Sequence, residues 1–379
     1  YVDFAFINEG IISLIALLET NLNSHLEKIP GIWFKDDDGV PRKGAPGKIV
    51  QANEMDVMMP GYAWDLLPKK KTTLDQYRAH FWHTNFLHKN RTPFAAIYTS
   101  LGCQFACNFC MINIVNRISY EEKISASNSR GMRFWSPELI LKEFEKLWEI
   151  GVRTLRISDE MFFLNKKYYI PILEGLIERG LKFNLWAYAR VDSVRKDQLE
   201  LFKKAGVNWL ALGIESGNQN IRVEIDKGRF KQVNIREVVK NIKSAGINVL
   251  GNYIFGLPDD NISTMTETLN LAIELQCEHS NFYSAQALPG SPLYLFAKDQ
   301  KWDIPKKYEE FAFLSYECKP LRTKHLTAKE VLNFRDNAWR KYFSNQNYLN
   351  LVENKFGKKS KKNLTELAKI NLKRKILEH

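Results

Sequence analysis

The chain has 379 residues, 45% hydrophobic and 12% aromatic, which is enough for two or three packed domains. No apolar run approaches the roughly 20 residues of a membrane span, and the start of the chain lacks the pattern of a secretory signal. The net charge of +12 does not indicate a nucleic-acid partner, because about half of the excess lies in the basic tail at 352–379, which we interpret as a solvated face.

The first part of the chain resembles a fragment of a sheet domain followed by a connector. Residues 2–7 predict a strand and 11–22 a helix, which together cannot bury both faces of a sheet, so we expect the partner strands to lie upstream or to be missing from this fragment. Residues 29–68 are punctuated by Pro and Gly, which predicts an irregular connector. We therefore expect one unit at 1–68 and a linker at 69–92.

From residue 93 onward, candidate strands and helices alternate with short connections. This alternation predicts an α/β fold with a parallel sheet and crossover helices. The helices are marked by capping chemistry, such as Ser136 before Pro137, and are expected at 137–150, 168–179, 195–205, 235–245 and 263–275. Six strand and helix units predict a partial barrel of the TIM type over 93–300, with strands at 94–100, 154–158, 182–187, 209–214, 249–255 and 281–287.

Beyond residue 300 the pattern becomes helical. A long helix is expected at 327–343, and an amphipathic stretch follows the basic run at 355–362. We predict that residues 301–379 form a helical cap over the open side of the barrel and end in a basic tail.

Three cysteines stand within eight residues, directly after the first predicted strand of the barrel. They are Cys103, Cys107 and Cys110, and Phe109 precedes the last of them. Clustered thiolates favour an iron-sulfur cluster or zinc, but a closed zinc site normally takes four ligands in two pairs. A zinc knuckle and chance core cysteines are the alternatives. We interpret the distant Cys277 and Cys318 as buried apolar residues, and an oxidisable cluster agrees with a cytoplasmic location.

The spacing Cys-x3-Cys-x2-Cys resembles that of the radical S-adenosylmethionine (SAM) superfamily. The resemblance implies a 4Fe-4S cluster with three irons held by cysteine and the fourth chelated by SAM. It also implies reductive cleavage of SAM to methionine and a 5′-deoxyadenosyl radical, with electrons from an external donor of the flavodoxin or ferredoxin type.

Residues 1–68 further resemble class B members of this superfamily, at the end of their Rossmann-like cobalamin-binding domain. The matching segments are Val2-Asp3, Asn8-Glu9-Gly10 with Asn8 in place of a glycine, Pro30-Gly31-Ile32, and Pro60-Gly61-Tyr62-Ala63-Trp64-Asp65. The cobalt-ligating Asp-x-His-x-x-Gly motif of many members is not among them. We therefore infer cobalamin from the resemblance alone. Residues 1–68 would be the C-terminal remnant of the cobalamin-binding domain.

Polar residues at the ends of the predicted strands match positions that meet SAM in this superfamily. Working groups gather at the carboxyl ends of parallel barrel strands. Asp159 or Glu160 would accept from the SAM ammonium, unless either caps a turn. Arg190 would bind the carboxylate or ribose, or pair with Asp192 at the surface.

Three further matches complete the expected SAM site. Glu215 and Ser216, in Gly-Ile-Glu-Ser-Gly, would supply acceptors for the ribose or the ammonium. Gly256 would let the backbone approach the adenine or simply form a turn, and Phe109 would lie against the adenine.

The resemblance implies C-methylation of an unactivated carbon in a small-molecule substrate. Ring formation or rearrangement is the near alternative. An RNA methylthiotransferase would need a second cysteine triplet and a nucleic-acid-binding domain, and neither is visible in the sequence. A non-enzymatic iron-sulfur protein is the remaining class.

Overall fold

The computed structural model describes residues 2–7, 9–22, 24–67, 93–116, 130–225 and 233–378. The expected linker at 69–92 lies outside these residues, as does Asn8. Among the helices described, none combines the length and apolarity that crossing a membrane requires.

Strands and helices alternate through the middle of the chain. The described strands are β1 Phe4–Phe6, β2 Ile32–Lys35, β3 Pro41–Lys43, β4 Phe94–Ile97, β5 Ser100–Cys103, β6 Gly131–Phe134, β7 Thr154–Ile157, β8 Asn184–Arg190, β9 Val207–Glu215, β10 Asn248–Phe255 and β11 His279–Ser284. The described α-helices span Ile11–Glu19, Met55–Met58, Pro137–Glu149, Lys166–Glu178, Leu199–Lys204, Gln219–Ile225, Ile235–Ser244, Ile262–Leu275, Pro292–Asp299, Ala328–Phe343, Gln346–Phe356, Lys358–Ala368 and Lys375–Glu378.

The main sheet is a half-barrel of six parallel strands in the order β11-β10-β9-β8-β7-β4. Neighbours in the sheet are also neighbours among the six in sequence, as repeated strand-helix-strand units require. Side chains on one face of the sheet, such as Leu155 and Leu185, are fully buried. The predicted partial barrel with six strands is thus confirmed.

The first strand of the barrel ends earlier than the sequence predicts. We expected one strand at 94–100, but β4 stops at Ile97, and β5 pairs antiparallel with β6 in a separate two-stranded sheet. The buried Asp159 carboxylate accepts from Thr99 N at 2.6 Å, Thr99 Oγ1 at 2.7 Å and Ser100 Oγ at 2.5 Å. These bonds take the place of ladder bonds, so the chain turns away at this point.

The N-terminal strand pairs with downstream strands, which corrects the expectation that residues 29–68 form an irregular connector. β1 pairs antiparallel with β2, and β2 with β3, within the region that we expected to be an irregular connector. Asp36 and Gly39 form the turn: the Asp36 carboxylate accepts from Val40 N at 2.8 Å, and Gly39 adopts φ 76°. Such a turn favours a hairpin.

The C-terminal helices pack beside β11, which is an edge strand of the half-barrel. Arg335 Nε donates to Phe282 O at 2.7 Å, and Tyr342 Oη donates to Cys277 O at 2.8 Å. The predicted helical C-terminal region is confirmed. Cys277 and Cys318 are buried, at 0% and 1% exposure, as expected.

Candidate active site

The cysteine loop starts at the end of β5 and runs into a short turn of 3₁₀-helix, Ile112–Asn116. Asn113 joins its two ends: Cys103 N donates to Asn113 Oδ1 at 2.8 Å, and Asn113 Nδ2 donates to Phe105 O at 2.9 Å. Asn113 is 3% exposed, so these bonds are shielded from water. The loop is therefore held in shape by protein contacts.

Two other elements anchor the middle of the loop. Asn108 N donates to Ile225 O at 3.0 Å, and Leu293 N donates to Asn108 O at 2.8 Å. Gly102 has φ 87°, and a Cβ there would lie 2.4 Å from Gly131 O. Only glycine fits this approach of β5 to β6 without displacement.

The donor set fits an iron-sulfur cluster. Backbone N–H groups point at two sulfur atoms: Phe105 N to Cys103 Sγ at 3.5 Å and Ile112 N to Cys110 Sγ at 3.4 Å. In the described residues, no three His, Cys, Asp or Glu side chains are grouped to hold a single ion. A cubane spreads its thiolates over different irons, so it does not require them to converge on one point.

The Cys110 thiol lies in a site that disfavours negative charge. Burial, followed by the proximity of Cys103, Glu160 and Glu215, raises the pKa of Cys110 to about 11, although the Ile112 N–H opposes the shift. A thiolate here needs a compensating cation, which iron would supply.

Two acidic residues, Asp159 and Glu160, follow β7, and the hydrogen bonds to the loop after β4 are made by Asp159. Its oxygen atoms accept the three hydrogen bonds from Thr99 and Ser100 described above. Burial, with Asp159 nearby, raises the pKa of Glu160 to about 7, and Arg156 opposes this shift. Between them, the geometry favours Glu160 as the residue available to a ligand.

Glu215 ends β9 in a conformation that is unusual for a residue with a side chain. Its φ is 63°, and the register between β9 and β10 shifts at this point. A Cβ on Gly213 would lie 2.5 Å from Glu215 Oε1, so this glycine makes room for the carboxylate. Burial raises the pKa of Glu215 to about 8, against the attraction of Arg190. Strain and burial of this kind are typical of functional sites.

Arg190 lies at the end of β8 and is 7% exposed. Its Nε and Nη2 donate to the two Asp192 oxygens at 2.9 and 2.6 Å, and its guanidinium lies 3.8 Å from the centre of the Phe105 ring. The ion pair with Asp192 therefore exists but is largely buried. The contact with Phe105 places Arg190 directly against the cysteine loop.

Ser216 is fully buried and forms part of a turn. Its hydroxyl lies 3.1 Å from Thr268 Oγ1 and accepts from Asn218 N at 3.2 Å. Arg222 Nη1 donates to the Ser216 carbonyl at 2.7 Å. These bonds fix the segment that follows Glu215, so a SAM contact of Ser216 itself stays a prediction.

Gly256 and Phe109 lie in different surroundings. Gly256 has φ 83°, and a Cβ there would lie 2.4 Å from Val331, so the turn and the C-terminal helix account for this glycine. Phe109 packs against the buried cluster around Leu257 and lines a cavity of about 250 Å³ together with Ile225 and Phe296. Their contacts with adenine stay predictions.

Two residues escaped the sequence analysis. Asn113 closes the cysteine loop, and no pattern distinguishes it from other asparagines of the chain. Arg156 stands in the middle of β7 and donates from Nη2 to Tyr188 Oη at 2.6 Å. A charged residue within the otherwise apolar Thr-Leu-Arg-Ile strand was a signal that could have been used.

Comparison with known proteins identifies the domain. Residues 97–272 match the family model described as the Radical SAM superfamily. A Pyrococcus horikoshii protein named as an uncharacterized methyltransferase is 26% identical over 346 residues, which cover 90% of this chain and 67% of that protein.

Solved structures share the fold at low sequence identity. The radical SAM methyltransferase TsrM from Kitasatospora setae, solved with cobalamin and a [4Fe-4S] cluster, has a TM-score of 0.59 at 16% identity, covering 79% of this chain and 56% of that one. The cobalamin-dependent SAM radical enzyme OxsB, solved with aqua-cobalamin, has a TM-score of 0.59 at 16% identity, covering 96% and 54%. This chain thus spans about half of each of these proteins. Residues 97–272, which hold the cysteine motif and most of the six-stranded half-barrel, therefore match a radical SAM domain.

Proposed function

We propose that this protein is a radical SAM methyltransferase. The observation that carries the proposal is the cysteine loop, held by Asn113 at the carboxyl end of the half-barrel and in contact with Arg190 through Phe105. Ligands of barrel enzymes bind at this end. The similarity to a protein named as a methyltransferase supports the reaction class.

Each part of the site then has a role. Cys103, Cys107 and Cys110 would hold a 4Fe-4S cluster, which when bound supplies the electron for cleavage of the SAM sulfur-carbon bond. Glu160 and Glu215 would accept from the SAM ammonium, and Arg190 would meet its carboxylate or ribose. Asp159 and Ser216 would position the neighbouring segments, while Phe109 and Gly256 would border the adenine.

We further propose that the reaction is cobalamin-dependent C-methylation of a small-molecule substrate. Both solved neighbours described above are named with cobalamin, and residues 1–68 carry the segments of the class B pattern. An external flavodoxin- or ferredoxin-type donor would reduce the cluster. A reducing compartment, the cytoplasm, would preserve it.

Cleavage of SAM tests the proposed function. The protein is reconstituted anaerobically with iron and sulfide, reduced with dithionite and incubated with SAM. Chromatography should show methionine and 5′-deoxyadenosine. Cys110→Ala should abolish both products, whereas Cys318→Ala, at a buried cysteine outside the loop, should retain them. A spectroscopically intact cluster without SAM cleavage would instead indicate a non-enzymatic iron-sulfur protein.

The cobalamin step needs its own measurement. The absorption spectrum of the full-length protein purified with cobalamin should show the bound corrinoid. With substrate present, labelled methyl groups from SAM should appear in the product. An unlabelled product with a new ring or a rearranged skeleton would support the alternative chemistry.

A further inference from the structure

Arg156 stands on the concave face of the half-barrel. It pairs in register with Trp186 of β8, two residues before Tyr188 and four before Arg190, and these alternate positions share one face. Its guanidinium lies 4.6 Å from the Trp186 ring centre and 5.1 Å from that of Tyr188. Arg156 is therefore on the same face as Arg190 but further from the carboxyl end of the strands.

The guanidinium of Arg156 is incompletely satisfied. Nη2 donates to Tyr188 Oη at 2.6 Å, whereas Nε is buried and has no hydrogen-bond partner within the described residues. By contrast, Arg190 is paired with Asp192, and the buried Arg374 with Asp336. No ion pair of the described residues includes Arg156. Arg156 is half-buried, and a cation with a buried, unpaired N–H and no ion-pair partner among the described residues favours an anionic ligand.

The groups facing Arg156 do not supply that anion. Arg156 lowers the pKa of the Glu160 carboxyl group, but burial has the larger effect and raises this pKa to about 7. Burial raises the pKa of three phenols, and the same guanidinium opposes this rise in each. They are Tyr98, Tyr188 and Tyr283. Near neutral pH these tyrosines are uncharged, and Glu160 is only partly ionised.

A cavity of about 510 Å³ lies between β11 and the C-terminal helices, and its lining is mostly apolar but includes Arg335, Asp336 and Arg340. Phe313, Leu314, Trp339 and Leu372 are among its lining residues. Tyr283 of β11 lines the cavity, and Arg156 is among the charged groups near enough to act on the pKa of its hydroxyl, which burial raises. The volume suits a small organic ligand.

We propose that the substrate is an anionic amphiphile whose carboxylate or phosphate binds Arg156 and whose apolar body occupies the cavity beside β11. This inference rests on the proposed function, since it names the substrate class of the same half-barrel. Arg suits either headgroup because its planar fork donates two parallel hydrogen bonds to an oxyanion.

Binding of three chemically matched probes tests the inference. Decanoate, decyl phosphate and decanol share one chain and differ in headgroup, and calorimetry on the reconstituted protein measures their affinities. At least one anionic probe should bind about tenfold or more tightly than decanol, since a hydrogen bond to a charged group is stronger than one between neutral groups. The stronger anion distinguishes a carboxylate from a phosphate headgroup.

Variants assign the two halves of the site. Arg156→Gln should remove the preference for the anion, Arg156→Lys should retain part of it, and Arg195→Gln, at an exposed arginine, should leave it unchanged. Leu372→Gln should weaken all three probes, and Leu372 is 39% exposed, so the fold should tolerate the change.

Two results would overturn the inference: equal affinities of all three probes for the unmodified protein, or an anion preference that survives in Arg156→Gln. SAM cleavage, measured on the same preparation without these probes, reports the proposed function separately. Absence of cleavage with a preserved anion preference would refute the enzyme but not the binding site.

Discussion

Individual ionisable residues near the cysteine loop differ in what they contact. Asp159 and Ser216 both follow strands, yet their side chains are used by Thr99, Ser100, Thr268 and the local backbone. Glu215 instead has a strained backbone conformation, and its carboxylate lies against Gly213. It is also close enough to Arg190 for the positive charge to lower its pKa, against the effect of burial. We therefore expect Glu215 to interact with a ligand more directly than Asp159 or Ser216.

Replacement of Glu215 by Gln should change how stability depends on pH. Burial raises the pKa of Glu215 from its ordinary 4.5 to about 8, so the folded state binds a proton more tightly than the unfolded state. Wild-type stability should therefore fall as pH rises from about 4.5 to 8, and Glu215→Gln should lose this component. In cluster-free protein, the melting temperature of the variant should exceed that of wild type by about 6 °C at pH 9 and match it near pH 4.

Glu200→Gln is the matched control, because Glu200 is exposed and pairs with Lys204 on the same helix. Its melting temperature should follow that of wild type at both pH values. An equal difference between Glu215→Gln and wild type at pH 4 and pH 9 would contradict the assigned titration.

At the scale of elements, turns and loops carry the site. Asn113 ties one end of the cysteine loop to the other, while Ile225 and Leu293 hold its middle. The turn after β10 is closed in the same manner, since Gly256 N and Leu257 N both donate to Asp260 Oδ2 at 3.0 Å. Asp260 therefore serves to close this turn.

Gly256→Ala should destabilise the fold through two effects. The left-handed φ of 83° strains any residue with a Cβ, and the new Cβ would lie 2.4 Å from Val331. Gly39→Ala is the control, because Gly39 has φ 76° but nothing within 4 Å of the added atom. In denaturant unfolding we expect a loss of about 1 kcal/mol for Gly39→Ala and about 3 kcal/mol for Gly256→Ala.

The Val331 contact can be isolated. If it explains the difference, Gly256→Ala should cost less in a Val331→Ala background than in wild type. An unchanged loss in that background would assign the whole effect to the backbone conformation.

On the scale of the whole molecule, a few buried polar contacts attach the C-terminal helices to the half-barrel. Glu278 is 1% exposed and accepts from Val249 N at 2.8 Å and from Lys355 Nζ at 2.8 Å. Tyr348 Oη donates to the Glu278 carbonyl at 3.1 Å. Residue 278 thus joins β10 and the helix Gln346–Phe356.

Lys355→Met should weaken this attachment. The substitution removes the ammonium group that pairs with the buried Glu278 carboxylate, so less positive charge offsets the burial of this anion. The free energy of unfolding should therefore fall by about 2 kcal/mol. Lys361→Met is the matched control: Lys361 pairs with Glu353 in a more exposed position, and its loss should be about 0.5 kcal/mol. Equal losses in urea titrations would show that Glu278 does not depend on Lys355.

Local patterns were sufficient for the barrel and for the three cysteines. The order of strands and helices, the cap at Ser136 and Pro137, and the spacing of Cys103, Cys107 and Cys110 can all be read from neighbouring residues. These features can be predicted from the sequence because secondary-structure propensity, helix capping and ligand spacing each depend on residues only a few positions apart.

Pairings between distant segments could not be read in this way. β1 pairs with β2 across the intervening helix Ile11–Glu19, and Thr99 leaves the barrel because Asp159, 60 residues later, binds it. Likewise, the hydrogen bond from Arg156 to Tyr188 exists only because β7 and β8 pair in the folded sheet. Packing and burial bring such partners together, and a single sequence does not record which distant residues will meet.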